Sequence, residues 1–304
     1  MARLRYLVSL ITKDNDYQME QAAAAKTAAG EAGADVDIIY AENDAITQST
    51  QLLKVIQAEE STRPNAILVE PLGATPFPKV AAAAAAAGIG WGVLNREAEY
   101  TSALRQTTLT PIFSVSVNQL EIGRIQGKQI AALLPGGGSV LLVQGPSVSS
   151  VSRERFDGLR ETLPSNVQLV NLRGKWTEES GYQSVCSWMK LMRAQKFRID
   201  LICGQNDVMA MGAKKAVKEL ASELDREFLS SIPATGCDGV PSTGQTWVRT
   251  GHLSATVVVP PSSGKAIVLM TRALQTKTQP AEHTFTTPEA FPALESLKPL
   301  AARH

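Results

Sequence analysis

The sequence of 304 residues predicts an α/β protein of two Rossmann-like lobes, each a parallel sheet with helices on both faces. Three observations carry this expectation. Short runs rich in β-branched residues alternate with helix-patterned segments, and the alternation stops and restarts near residue 139. At roughly 150 residues per domain, the length also suits two globular domains.

In the first half, residues 6–11, 36–40, 66–70 and 90–94 read as strands. The alanine-rich stretch after Tyr17 reads as the first helix, ending near Gly30 or Gly33, and residues 45–60 read as the second, with Asp44 as N-cap. A third is expected behind Thr75 as cap and Pro76 at the first helical position, stopping at Gly88. Residues 109–118 read as a crossing from one lobe to the other. The restarted pattern has strands at 139–143, 167–172, 199–203 and 233–237, separated by helical segments. A strand at 253–259, a helix at 262–274 and a short strand at 283–286 do not complete the second lobe, so the chain is expected to return to the first. In the tail, Phe291, Leu294, Leu297 and Leu300 recur at about helical spacing and are expected to pack on a lobe or serve a partner.

Composition excludes several function classes. With 30 Lys+Arg against 29 Asp+Glu and 5% aromatics, no cationic excess is available to displace counterions from a nucleic acid. The longest apolar run, residues 80–94, falls short of the about 20 residues a membrane-spanning helix needs. Cys186, Cys203 and Cys237 lack C-x-x-C spacing, and the three histidines lie at 252, 283 and 304, so neither a metal site nor a disulfide framework is expected. Cys203 and Cys237 end apolar strands and read as core. There is no G-x-S-x-G elbow and no phosphate loop: Gly136-Gly137-Gly138 precedes its strand, and the glycines at 88, 90 and 92 lie before and within one. The expected cofactor set is therefore empty. No signal peptide is legible after Arg3 and Arg5, which leaves a cytosolic protein or a mature form as the two readings of compartment.

In open α/β sheets, ligands bind outside the carboxyl ends of the strands. Those positions hold Asp14 to Gln18, Glu70, Asn95 with Arg96, Gln144 to Arg155, Trp176, Gln205 to Asp207, and Asp238. Planar polar side chains supply paired hydrogen bonds to vicinal hydroxyls, and aromatic faces cover the C–H surface of a ring. Taken singly, Asp207 and Asp238 read equally as caps, turn closers or ligand groups. Trp176 sits in a polar loop with no evident core to join. Tyr17 reads as a ligand contact or a hydrophobic staple, and one of Arg153 and Arg155 reads as a surface charge.

These residues resemble a family, the type I periplasmic binding proteins, in particular the ribose-binding branch and the effector domains of LacI-type repressors. The likeness rests on D-N-D-Y-Q at 14–18, V-L-N-R at 93–96, R-E-R-F-D-G at 153–158, G-Q-N-D-V-M-A-M-G-A at 204–213 and G-C-D-G at 236–239. It implies a first lobe of 1–116 plus 260–288 and a second of 117–259 plus 289–304, joined by a three-crossover hinge and closing on ligand. By the resemblance, Asn15, Tyr17 and Arg96 contact ligand from the first lobe, and Arg155, Trp176, Asn206 and Asp238 from the second. Gln18 stands where the sugar binders commonly have a second aromatic, Asn95 where an aspartate often precedes the arginine, and Val259 where a polar side chain often reaches the ligand. Both Gln18 and Asn95 are kept as candidate ligand residues.

The expected function is non-enzymatic binding of a sugar or sugar derivative, with an ABC transporter permease or a signalling protein as partner. Counting Arg96 and Arg155 against Asp238 alone leaves a cationic excess, so the expected ligand is either not ribose or carries an acidic group. A cytosolic sensor of the same fold and a nucleotide-dependent enzyme are the alternatives. A start at the first strand leaves no helix-turn-helix, and direct DNA binding is not expected.

Overall fold

The computed structural model describes residues 3–72, 77–192, 198–220 and 232–301; the helix start expected at Thr75 and Pro76 lies outside them. The chain divides into two compact units, Met1–Val117 with Pro260–Thr286 and Asn118–Val259 with Thr287–His304, and so passes between units three times.

In the first unit, β1 (Arg5–Leu10) leads into α1 (Asp16–Glu31), whose N-terminus is capped by Asn15 through a 3.2 Å bond from the Gln18 amide. β2 (Asp35–Tyr40) leads into α2 (Ala45–Ile56), where the Asp44 carboxylate accepts from the Thr47 amide at 2.6 Å and is held below its usual range by that bond. Then come β3 (Ala66–Val69), α3 (Phe77–Ala86), β4 (Gly90–Leu94), α4 (Tyr100–Thr107) and β5 (Ile112–Val117). Residues 109–118 are thus mostly a strand rather than a bare crossing. Ser114 and Ser116 break the apolar run that would have signalled it, yet all six residues of β5 are buried, and Ser114 bonds His283 Nδ1 at 2.8 Å.

The returning chain supplies α10 (Ser262–Thr276) and β11 (His283–Thr286), completing an all-parallel sheet in the order β11-β5-β4-β3-β1-β2. One face packs on α1 and α10 through Ala25, Ala29, Ile267 and Met270; the other packs on α2 and α3 through Leu52, Phe77 and Val80. The glycines of β4 have a packing cause. A β-carbon on Gly90 would lie 2.7 Å from Met270 Sδ, and one on Gly92 would strike Leu68.

The second unit orders its parallel sheet as β7 (Val167–Arg173), β6 (Gly138–Gln144), β8 (Leu201–Gly204) and β9 (Ala234–Thr235). On one face α5 (Gln119–Leu133) and α6 (Ser150–Thr162) cover Val140, Leu142 and Cys203; on the other, α7 (Glu178–Met192) and α8 (Asp207–Leu220) cover Leu141, Val143 and Ile202. A short α9 (Gly244–Arg249) precedes β10 (Thr256–Val258), whose Val258 bridges to Asp238, with Ala255 just before it bridging to Thr235, and which pairs antiparallel with β12 (Glu289–Phe291).

Among the described residues the tail forms no α-helix. Pro288, Pro292 and Pro299 bar a helix, and the segment forms β12 and a 3-10 turn at Leu294–Ser296. Leu297 and Leu300 pack against the second unit's core, with the Leu300 amide donating to Leu133 O at 2.9 Å.

Candidate functional site

Each sheet has a topological switch point, where successive connections leave a strand in opposite directions and open a crevice at its carboxyl end. In the first unit this lies beside β1, flanked by β2 and β3; in the second it lies beside β6, flanked by β7 and β8. The polar residues singled out from the sequence gather at these two edges.

The first cluster is organised by Glu70, which directly follows β3 and has 2% of its surface exposed. One carboxylate oxygen accepts from Gln18 Nε2 at 2.8 Å and the other from Asn95 Nδ2 at 3.0 Å, while its backbone carbonyl accepts from Gln48 Nε2 at 2.9 Å. Gln18 also accepts from the Ile11 amide, so both ends of its side chain are engaged inside the unit. Asn95 turns the chain with φ of 60° and hands it to the half-buried Arg96. Tyr17 is buried, its hydroxyl accepting from Gln21 Nε2, and Asn15 is the cap of α1. Converting Glu70 to Gln would put an amide donor against the donor of Gln18 or Asn95. The expected cost is about 1–3 kcal/mol, read as a lower urea midpoint, and an unchanged midpoint would remove Glu70 from this role.

The second cluster centres on Arg155, which is 3% exposed. Its Nε donates to Gln119 Oε1 at 2.9 Å and its Nη1 to the Gln205 carbonyl at 2.6 Å; Nη1 lies 3.8 Å from Asp238 Oδ1. The guanidinium stands 5.8 Å from the ring centroid of Trp176, a cation–π arrangement. Gln205 ties the edge together, its Oε1 accepting from the Gly145 amide and the Ser152 hydroxyl. Arg153 is exposed, so of the two arginines it is the surface charge.

Trp176 does have a core to join, contrary to the sequence reading. It is half-buried against the α7–α8 face and lies over Gly145, where a β-carbon would strike its ring; its own φ is 68°. Asn206 holds it there, donating to the Trp176 carbonyl at 3.0 Å while its Oδ1 caps α8 through the Met209 amide. Both amide atoms of Asn206 are therefore engaged within the unit.

Asp238, with φ of 103° and a side chain 14% exposed, is the acidic group at the rim of this cluster. Behind it Asp207 is buried, and burial, followed by the charge of Asp238, pushes its carboxyl well above the usual range. Burial likewise pushes the Cys203 thiol up to about 11 and the Cys237 thiol further still, so neither offers a thiolate at neutral pH.

Sequence reasoning placed Glu70, Gln205 and Asp207 at strand ends without assigning them to the site. Gln119 had no local signal, because its partner Arg155 lies 36 residues on. Among the described residues no group of three or more His, Cys, Asp and Glu could hold a metal ion, and no helix is long and apolar enough to cross a membrane.

A profile described as a periplasmic binding protein domain matches residues 6–279. A xylitol-binding protein of Mycolicibacterium smegmatis is 26% identical over 227 residues, covering 73% of this chain and 58% of that protein. The chain spans 63%, 58% and 49% of the length of three curated relatives that it matches. Two solved structures share the fold at a TM-score of 0.80. One is a periplasmic solute-binding protein of an ABC transporter from Actinobacillus succinogenes with bound D-allose, 19% identical, covering 95% of this chain and 97% of that one. The other is the periplasmic binding component of an arabinose ABC transporter from Shewanella with bound L-arabinofuranose, 21% identical, covering 96% and 93%.

Proposed function

We propose, from the premise that the chain belongs to the periplasmic binding protein domain family, that it binds a small neutral polyhydroxylated molecule, a sugar or polyol, without transforming it, and delivers it to an ABC transporter. The observation that carries this reading is the Arg155–Asp238–Trp176 cluster at a switch point. A guanidinium and a carboxylate side by side offer donors and acceptors to neighbouring hydroxyls, and the indole offers a flat face to C–H groups. The sugars and polyols named for the relatives are of this chemistry.

Of the two alternatives expected from the sequence, a ligand other than ribose or one with an acidic group, the second is not retained. That expectation set Arg96 and Arg155 against Asp238 alone, whereas Glu70 is buried in the first cluster against Asn95, the neighbour of Arg96 in the chain. Glu70 is thus an acidic side chain of the first cluster, reached from Arg96 through Asn95, as Asp238 is the acidic side chain of the second. The sequence count omitted this acidic group, which removes the basis for an acidic ligand.

Calorimetric titration with D-ribose, D-allose, L-arabinose, xylitol and myo-inositol, beside D-gluconate and ribose 5-phosphate, tests this. At least one neutral compound is expected to bind at micromolar concentration or tighter, with Arg96→Ala and Arg155→Ala each weakening it by about 10-fold or more. Binding confined to the acidic compounds, or none to any neutral one, would overturn the reading.

A further inference from the structure

We propose that Asp207 is a positioning residue for ligand recognition, fixing the backbone on both sides of Asp238 so that the Asp238 carboxylate is presented to the ligand. The inference rests on the binding role proposed above. Asp207 is 3% exposed and does not itself offer a surface to a ligand. It opens α8, and its backbone amide donates to the Cys237 carbonyl at 2.6 Å, while its Oδ2 accepts from the Gly239 amide at 2.8 Å. Those are the two peptide groups that flank the α-carbon of Asp238.

The bracket is needed because Asp238 has φ of 103°, a conformation that residues with a β-carbon rarely adopt. Two further backbone bonds tie it to β10 and the residue after it: the Asp238 amide donates to Val257 O at 3.0 Å, and the Val259 amide donates to Asp238 O at 3.0 Å. Asp207 grips that strand as well, through a 2.6 Å bond from the Thr256 hydroxyl to its Oδ1. One buried carboxyl group thus joins the turn that carries Asp238 to the strand beside it.

The glycines around the turn give a second, independent observation. A β-carbon on Gly236 or on Gly244 would strike the Asp207 carboxyl oxygens, and the one on Gly244 would also lie 3.0 Å from the α-carbon of Gly239. The G-C-D-G motif and Gly244 therefore leave a space shaped to this carboxyl group. Burial, followed by the charge of Asp238, pushes this carboxyl well above the usual range, which makes a neutral group of the same shape the informative replacement.

The test compares Asp207→Ala, Asp207→Asn and Gly244→Ala in the full chain, using the tightest-binding neutral compound of the five above. Asparagine can accept from Gly239 and donate to Thr256, so it is expected to keep affinity within about 3-fold, while alanine weakens it by about 10-fold or more. Gly244→Ala displaces the carboxyl group without removing it, is expected to weaken binding similarly, and serves if the alanine variant does not fold.

A second readout needs no ligand: the 13C resonances of Asp238 and the amide resonance of Gly239 are expected to move in the alanine and Gly244 variants and to hold in the asparagine variant. A lowered melting temperature with unchanged dissociation constant and unmoved Asp238 resonances would show a merely structural role and overturn the proposal. If none of the five compounds binds the wild-type chain, the proposed function has failed, and the Asp238 resonances alone decide the role of Asp207.

Discussion

Gly158→Val is expected to destabilise the second unit by more than about 3 kcal/mol, and Gly158→Ala by about 2–3 kcal/mol. A β-carbon at Gly158 on α6 would strike the carbonyl oxygen of Leu120 on α5, with Leu120 C at 2.9 Å and Arg124 N at 3.0 Å. The contact is reciprocal, since a β-carbon at Gly123 on α5 would meet the carbonyl of Arg155 and lie 2.7 Å from Leu159 N. Every atom in the way is backbone, so no rotamer change relieves the clash and the helices must part. Urea unfolding measures the loss, with Gly30→Ala as control. Gly30 lies in α1 with nothing within 4 Å of an added β-carbon, and alanine there is expected to stabilise by about 0.5–1 kcal/mol. Equal effects at Gly30 and Gly158 would refute the close crossing of α5 and α6.

Arg155→Ala is expected to cost about 3–5 kcal/mol of stability, besides its effect on binding, because it leaves buried acceptors without their cation. Gln119 Oε1, the Gln205 carbonyl and Asp238 all face the guanidinium. Lysine is expected to restore less than half of this. Its single ammonium cannot reproduce the directions of Nε and Nη1, and it lacks the planar face that Arg155 sets near Trp176. The same unfolding measurement decides it, and a lysine variant as stable as wild type would show that charge alone suffices.

The sequence makes β1 to β4 and most of the second sheet legible as short runs rich in β-branched and apolar residues set between helical segments, even where Ser9 or Asp37 interrupts them. It hides β5, whose two buried serines break the apolar run and whose neighbour β11, with the His283 partner of Ser114, arrives from far along the chain. It also makes the strand-end clusters legible as sets of polar residues, but not what each member does. Gln18 meets Glu70 across 52 positions and Asn206 meets the Trp176 carbonyl across 30. A side-chain amide looks the same in sequence whether it faces a ligand or a neighbouring loop. Trp176 misled for a similar reason, since the bare backbone of Gly145 that receives it is not an apolar neighbour in the sequence.

The three passages of the chain between units also set an order of synthesis. Ribosomes release chains N-terminus first at roughly 5–20 residues per second, so β1 to β5 emerge well before the helix and strand that finish their sheet. Until residues 260–286 are made, Tyr6, Ala25 and Phe113 lack the cover of Ile267 and Met270, and β5 is an open edge able to pair with any passing strand. The second unit emerges in between, and its β10 waits still longer for β12. Neither unit is a continuous stretch of gene, so neither can be excised by a single truncation, and both complete their cores only as the last fifth of the chain is translated.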